Sequence, residues 1–239
     1  MRAAGVKCMY GSGAERILLT PAGSVRAVEL ENGEIIETGG VICTAHPAAL
    51  LDLVPHDAFR AVFRRRVSGL ADTPSAYILY GIAEKPIDLL QGSNLFISTQ
   101  ESMDDAFSFP RRPEEGPWYV AASNRHEGAQ GIVAITPGHI SDVAAWQTSR
   151  IGKRPADYHE FKMKCIEDMR SALLAHAPEL ESVRFVDAAT PLTLRDYLHT
   201  QSGSLYGARH SVNQYNPSPA TRIPGLLLAG QSIVAPGIL

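Results

Sequence analysis

The sequence has little that would tie it to metal, to an oxidising compartment or to nucleic acid. Cysteine is scarce: only Cys8, Cys43 and Cys165 occur. The count is odd, the spacings are wide and there is no CxxC pair. That argues against a disulfide framework and a structural zinc site. The eight histidines form no HxH and no HExxH, so no metal ligand set is expected. No apolar run approaches the ~20 residues that a membrane-spanning helix needs. Met1 to Gly13 lacks the apolar stretch of a secretory leader. The expectation is therefore a cytoplasmic chain. Peripheral membrane contact stays open, since it needs only an exposed apolar patch. Net charge is −3 and the basic residues are dispersed. The densest basic run, Arg64-Arg65-Arg66, reads as the solvated face of a helix, and no nucleic-acid partner is expected.

What is present is an ordinary globular composition. Hydrophobic residues make up 45% and charged residues 20% of 239 positions. At ~150 residues per domain, that length suits one or two domains.

The first fifth of the chain reads as strands: Val6 to Tyr10, Ala14 to Leu19, Val25 to Leu30 and Glu34 to Ile36. Asn32-Gly33 is a strong two-residue hairpin signal before the last of these. Val41 to Ala45 and Leu226 to Ala229 are short apolar runs bounded by glycine or loop. Such runs suit parallel strands buried on both faces. Pro47 to Leu53 and Asp57 to Val67 read as helices. In the second, Asp57 can cap, and Phe59, Val62 and Phe63 share one face.

The texture then changes. Ser75 to Ile82, Asn94 to Thr99, Trp118 to Ser123 and Ile132 to Thr136 are β-rich and separated by Pro- and Gly-containing loops. Met103 to Gly116 is the most loop-like of these connections. A long helix follows over about Ala156 to His176, with Tyr158, Phe161, Cys165, Met169 and Leu173 at three- and four-residue steps. Met163 and Met169 read as plain core. Val183 to Val186 is a short strand and Leu192 to Leu198 a short helix. The fold class expected is α/β, with α+β character in an inserted lobe.

Two glycine motifs deserve separate readings. Gly11-Ser12-Gly13 starts a G-x-G pattern, but its third position is Arg16 and Pro21 follows too soon for a helix. It reads as a turn. Gly230-Gln231-Ser232 follows an apolar strand, as in a nucleophile elbow, but the fifth position is Val234. Seven residues follow Ser232, none of them Asp, Glu or His, so the order of a hydrolase triad fails. A buried strand ending at Gly230 and running towards Pro236-Gly237 instead suits an anion site at a helix start. Among the histidines, His210 stands out beside the glycine-flanked Gly203-Ser204-Leu205-Tyr206-Gly207-Ala208.

Four pieces in order carry a family likeness: Ala189-Thr190-Pro191-Leu192-Thr193, Gly203-Ser204-Leu205-Tyr206-Gly207-Ala208, Ile223-Pro224-Gly225-Leu226-Leu227-Leu228-Ala229-Gly230-Gln231, and Pro236-Gly237. They resemble the C-terminal part of the phytoene desaturase, carotenoid isomerase and retinol saturase group of FAD-dependent oxidoreductases. Residues 5 to 47 are similar to the middle of that group, through Ala14-Glu15-Arg16-Ile17-Leu18, Val25-Arg26-Ala27-Val28-Glu29-Leu30 and Asn32-Gly33-Glu34. The group's N-terminal strand, G-x-G-x-x-G turn and helix have no counterpart here, nor has its last glycine-rich helix. The expectation is about half of a longer enzyme.

The resemblance implies a partial Rossmann-like FAD lobe from residues 1–54 and 183–239. It also implies a mixed-sheet substrate lobe from residues 55–182. Ala14 would lie near the adenine. Gly230 and Gln231 would approach the diphosphate and ribityl chain, and Pro236, Gly237 and Ile238 the pyrimidine side of the flavin. Tyr206 and His210 are the candidate catalytic pair beside Gly230 and Gln231. The implied substrate is apolar and isoprenoid-like. A nicotinamide, NAD(P), is an open choice of redox partner, and oligomeric state is open. The alternatives are a flavin amine oxidase, an α/β-hydrolase-like enzyme and a non-catalytic lipid-binding module.

Overall fold

The computed structural model describes residues 4–98, 112–123 and 128–234. Most of the loop read from Met103 onwards lies outside these residues, as do Pro236, Gly237 and Ile238. In chain order the elements are β1 (Ala14–Leu19), β2 (Val25–Leu30), β3 (Ile35–Glu37), β4 (Val41–Cys43), α1 (Pro47–Leu53), α2 (Ala61–Ser68), β5 (Ser75–Ala83), β6 (Leu95–Ile97), β7 (Trp118–Ala122), β8 (Gln130–Gly138), α3 (Ala156–His176), β9 (Arg184–Ala189), α4 (Pro191–Leu198) and β10 (Leu226–Leu228). They fall into two compact units, Met1–Asp72 with Tyr206–Leu239, and Thr73–Leu205.

In the first unit β1, β2 and β3 form an antiparallel meander. The Asn32-Gly33 turn closes it: Asn32 Oδ1 accepts from the Glu34 N–H at 2.9 Å. Val6 to Tyr10 forms no strand. β4 and β10 pair in parallel. Ile17, Val25, Leu50, Phe59, Val67, Leu226 and Leu228 make one buried cluster. Two expectations change here. Asp57 to Val67 is not one helix, because Phe59 (φ −114°, ψ 147°) and Arg60 (φ −63°, ψ 147°) are extended. Phe59 therefore drops into the core at 3% exposure, while Val62 points outward at 69%. β4 and β10 are buried on one face only, since Ile42 is 68% and Leu227 47% exposed.

The second unit is a five-stranded sheet, β6-β7-β8-β5-β9. The sequence suggests a mixed sheet, but every neighbouring pair is antiparallel. α3 covers one face, with Cys165, Met169 and Leu173 packed on Leu79, Val120 and Ala134. Met163 points away from that contact and is 64% exposed, because it lies two positions before Cys165 on the helix wheel. α4 starts at a capping box in which Thr193 Oγ1 accepts from the Thr190 N–H.

The unit borders fall at Asp72/Thr73 and Leu205/Tyr206, not at the expected 54/55 and 182/183. Residues 183–205 stay with the second unit because β9 pairs with β5. Residues 55–72 stay with the first because Phe59 and Val67 join its core.

Candidate functional site

The register Leu226↔Val41, Leu227↔Ile42, Leu228↔Cys43 sets the carboxyl ends of two parallel strands side by side. The Ala229 N–H donates to Cys43 O at 3.0 Å and extends the pairing by one bond. Beyond it the chain turns at Gly230, whose φ of 104° is in the left-handed region that side chains rarely adopt. Thr44, Ala45, Gly230 and Gln231 are all exposed at this edge. In open α/β sheets ligands lie outside the carboxyl ends of the strands.

The loop after Leu205 runs beside this turn. A Cβ on Gly207 would collide with Ser232 Oγ, and φ there is 66°, so only glycine fits. That closeness lets Ser232 Oγ accept from the Ala208 N–H at 3.1 Å. Ser232 is thus buried and committed to the backbone, which removes it as a nucleophile. His210 Nε2 donates to Gln231 O at 2.9 Å. Its Nδ1 can then accept from Asn216 Nδ2 at 3.3 Å. Nε2 thus holds the carbonyl of the residue after Gly230, while Nδ1 faces Asn216.

Of the residues read from sequence, Gly230, Gln231, His210 and the loop bearing Tyr206 therefore come together. The Tyr206 side chain is 63% exposed. Ala14 is not part of this group. It pairs with Leu30 at one end of β1–β2, whereas the other end, at Val25, bonds to Pro224 O. Five residues of strand separate those ends, roughly 17 Å.

Sequence reasoning missed His46. Its Nδ1 accepts from the Ala48 N–H at 3.2 Å and caps α1. Its Nε2 donates to Asp72 Oδ1 at 3.0 Å. Asp72 in turn forms a bridge with Ala208, so the end of β4 and the loop beside Gln231 are held through one histidine. The cap was legible in Ala45-His46-Pro47 preceding a helix; the partner 26 residues away was not. Nearby, burial raises the Cys43 thiol above its ordinary value, so that sulfur stays protonated.

The second unit carries a different surface. On the sheet face away from α3, Phe96, Tyr119, Ile135, Ile78 and Ala189 stand opposite one another across all five strands. The Phe96 and Tyr119 rings are 5.0 Å apart, and Phe96 is 76% exposed. In the adjoining row Tyr80 is 41% exposed. Partial burial, then the Asp187 carboxylate, raises its phenol above the ordinary value. Ile78 and Ala189 are buried with Leu194 of α4, so the open part of the row, Phe96, Tyr119 and Ile135, forms an apolar wall edged by hydroxyls.

The comparisons agree with the likeness read from sequence. No protein-family model matches the chain. It is 31% identical to human all-trans-retinol 13,14-reductase over 140 residues, covering 56% of this chain and 22% of that one. It is 37% identical to the zeta-carotene-forming phytoene desaturase of Myxococcus xanthus over 145 residues, covering 57% and 27%. With the hydroxyneurosporene desaturase of Rhodobacter capsulatus, identity is 32% over 234 residues, covering 95% and 45%. The chain spans less than half the length of each. An oxidoreductase from Methanosarcina mazei shares the fold, with a TM-score of 0.51 at 14% identity over 93% of this chain and 44% of that one. The chain is thus a sequence relative of the retinol reductase and carotenoid desaturase group, with an α/β, Rossmann-like fold.

The described residues fit one side of a flavin nucleotide. They supply two parallel strand ends, a left-handed glycine and a braced Gln231. A glycine-rich strand–turn–helix to hold the diphosphate is not among them.

Proposed function

We propose that this chain works as part of an FAD-dependent oxidoreductase that alters carbon–carbon bonds in an apolar, isoprenoid-like molecule. The observation that carries this reading is its similarity, over 95% of its length, to an enzyme named for desaturating a carotenoid. The human relative named for reducing retinol extends it to the reverse direction. FAD, when bound, would supply hydride exchange; the protein supplies binding, orientation and exclusion of water.

In this reading Gly230 and Gln231 meet the diphosphate and ribityl chain. Ala14 lies at the adenine, and Pro236, Gly237 and Ile238 at the pyrimidine side. Tyr206 and His210 border the reacting centre, and the bond from His210 to Gln231 O favours a positioning role. The Phe96–Tyr119–Ile135 row is the wall against which an apolar chain lies. NAD(P) is the redox partner to assay first. A cytoplasmic location with peripheral membrane contact suits such a substrate.

The test uses the full-length protein that contains this chain. It should purify yellow and shift the absorption spectrum of retinol or a carotene under anaerobic conditions. The 239-residue chain should retain little flavin by itself. Gly230→Val should abolish flavin binding. His210→Ala should leave flavin bound and slow turnover, by ~10²-fold if the ring moves a proton and by far less if it only braces Gln231. A colourless full-length protein would sink the proposal. Oxidation of amines with no change in any polyene would replace it with the amine oxidase reading.

A further inference from the structure

We propose that the cleft between α2 and residues 215–222 binds a phosphate group carried on an apolar or aromatic body. In sequence, Arg64-Arg65-Arg66 reads as a solvated helix face, yet Arg66 is held. Its guanidinium carbon lies 4.8 Å from the centre of the Tyr215 ring and 5.4 Å from that of Phe63. Packing against two aromatic rings restrains a guanidinium while leaving N–H donors at its edge to recruit an anion.

Arg60 and Arg222 line the same cleft, a cavity of about 530 Å³ that also takes in Phe59, Ser218 and Thr221. No lining residue is acidic. Among the described residues none of these three arginines has an ion-pair partner. Three cations gathered without a counter-charge repel one another. A bound phosphate removes that repulsion and accepts charge-assisted hydrogen bonds from planar forks that match its oxygens.

The cleft is larger than a bare phosphate needs and falls within the range of small-molecule sites. Its inner wall is apolar: the Phe59 and Phe63 rings are 4.6 Å apart, and Phe59 is almost fully buried. The ligand therefore combines a phosphate with an apolar part. A soluble organic phosphate and a phospholipid headgroup share this chemistry. The cleft shares no lining residue with the Gly230 turn.

The experiment uses the 239-residue chain without flavin or turnover, so its failure leaves the flavin proposal standing. Phenyl phosphate and inorganic phosphate are titrated by calorimetry. Vesicles of phosphatidylcholine, with and without phosphatidylglycerol, are tested by flotation. Phenyl phosphate should bind at least tenfold more tightly than inorganic phosphate, or the chain should float with the anionic vesicles alone. The first result assigns a soluble ligand and the second a headgroup.

Arg60→Ala with Arg222→Ala should weaken whichever binding is seen by more than tenfold. Arg66→Lys, which keeps the charge and loses the fork and the stack, should weaken it severalfold. All three arginines are exposed, so circular dichroism should be unchanged; Arg66→Lys serves by itself if the double variant does not fold. Binding of neither probe overturns the proposal, as does binding that the folded variants leave unchanged. Equal affinity for the two phosphates, with no flotation on anionic vesicles, also overturns it.

Discussion

The two units cover the faces of their strands to different extents. In Thr73–Leu205, Leu79, Val120 and Ala134 lie at 0% exposure beneath α3. In the other unit, Leu226 and Leu228 of β10 are as deeply buried, at 1% and 3%, while Leu227 between them is 47% exposed and its neighbour Ile42 is 68% exposed. Three consecutive leucines thus meet two environments. A strand alternates faces, and an apolar residue is buried only where a layer covers its face. The meander and α1 cover one side of β4–β10, and no described element covers Ile42 and Leu227. The second unit is better covered, and its remaining open face carries the apolar row near Phe96.

That contrast can be broken from its strongest point. Arg154 and Asp196 form a salt bridge with side chains only 7% and 15% exposed. Arg154 also donates to Ser149 O at 2.7 Å. Asp196→Ala would strand a largely buried cation and should cost the second unit about 3–5 kcal/mol. Urea denaturation read by thiol accessibility checks this. Cys165 reports the second unit, because burial pushes its thiol up to about 12. Cys43 reports the first. An unchanged midpoint at Cys165 would show that the pair holds nothing together.

A paired substitution tests the two faces of β10. Leu226→Ala should cost about 2–5 kcal/mol, as for other core truncations. Leu227→Ala, one residue away, should stay within ~0.5 kcal/mol. Equal costs, measured by chemical denaturation, would mean that the outer face is covered after all.

The smallest effect concerns acid stability of the second unit. Burial raises the Asp187 pKa, but the Lys162 ammonium at 2.7 Å and the Ala188 N–H outweigh it and hold the carboxyl below its usual range. A depressed folded pKa contributes stability above the unfolded value of ~3.9 and loses it as pH falls through the folded one. Lys162→Met should therefore lower stability slightly at neutral pH, leave it nearly unchanged below the folded pKa, and so flatten the low-pH limb of the stability curve. A limb as steep as the wild type's would assign the acid sensitivity to other carboxylates.

Much of this arrangement is local and therefore legible in the residues. The Asn32-Gly33 hairpin, the helix from Ala156 to His176 and the turn at Gly230 each follow from short-range rules of turn chemistry, periodicity and left-handed φ. The association of Gly230, Gln231 and His210 was approachable because a glycine-flanked loop leads directly to β10. Phe59 and Val62 were not placed correctly, because helical spacing describes a face only if the helix is continuous, and it breaks at Phe59.

Contacts between distant segments are another matter. That β9 joins β5, that His46 holds Asp72, that Arg66 lies against Tyr215, and that only one face of β4–β10 is covered all depend on which segments meet. Periodicity and propensity act over a few residues and carry no information on that choice. So local order, the apolar stripe of α3 and the likeness to flavin-dependent relatives came from sequence alone. The unit borders, the bracing of Gln231 and the arginine cleft were decided when chain segments far apart in sequence packed together to bury a common core.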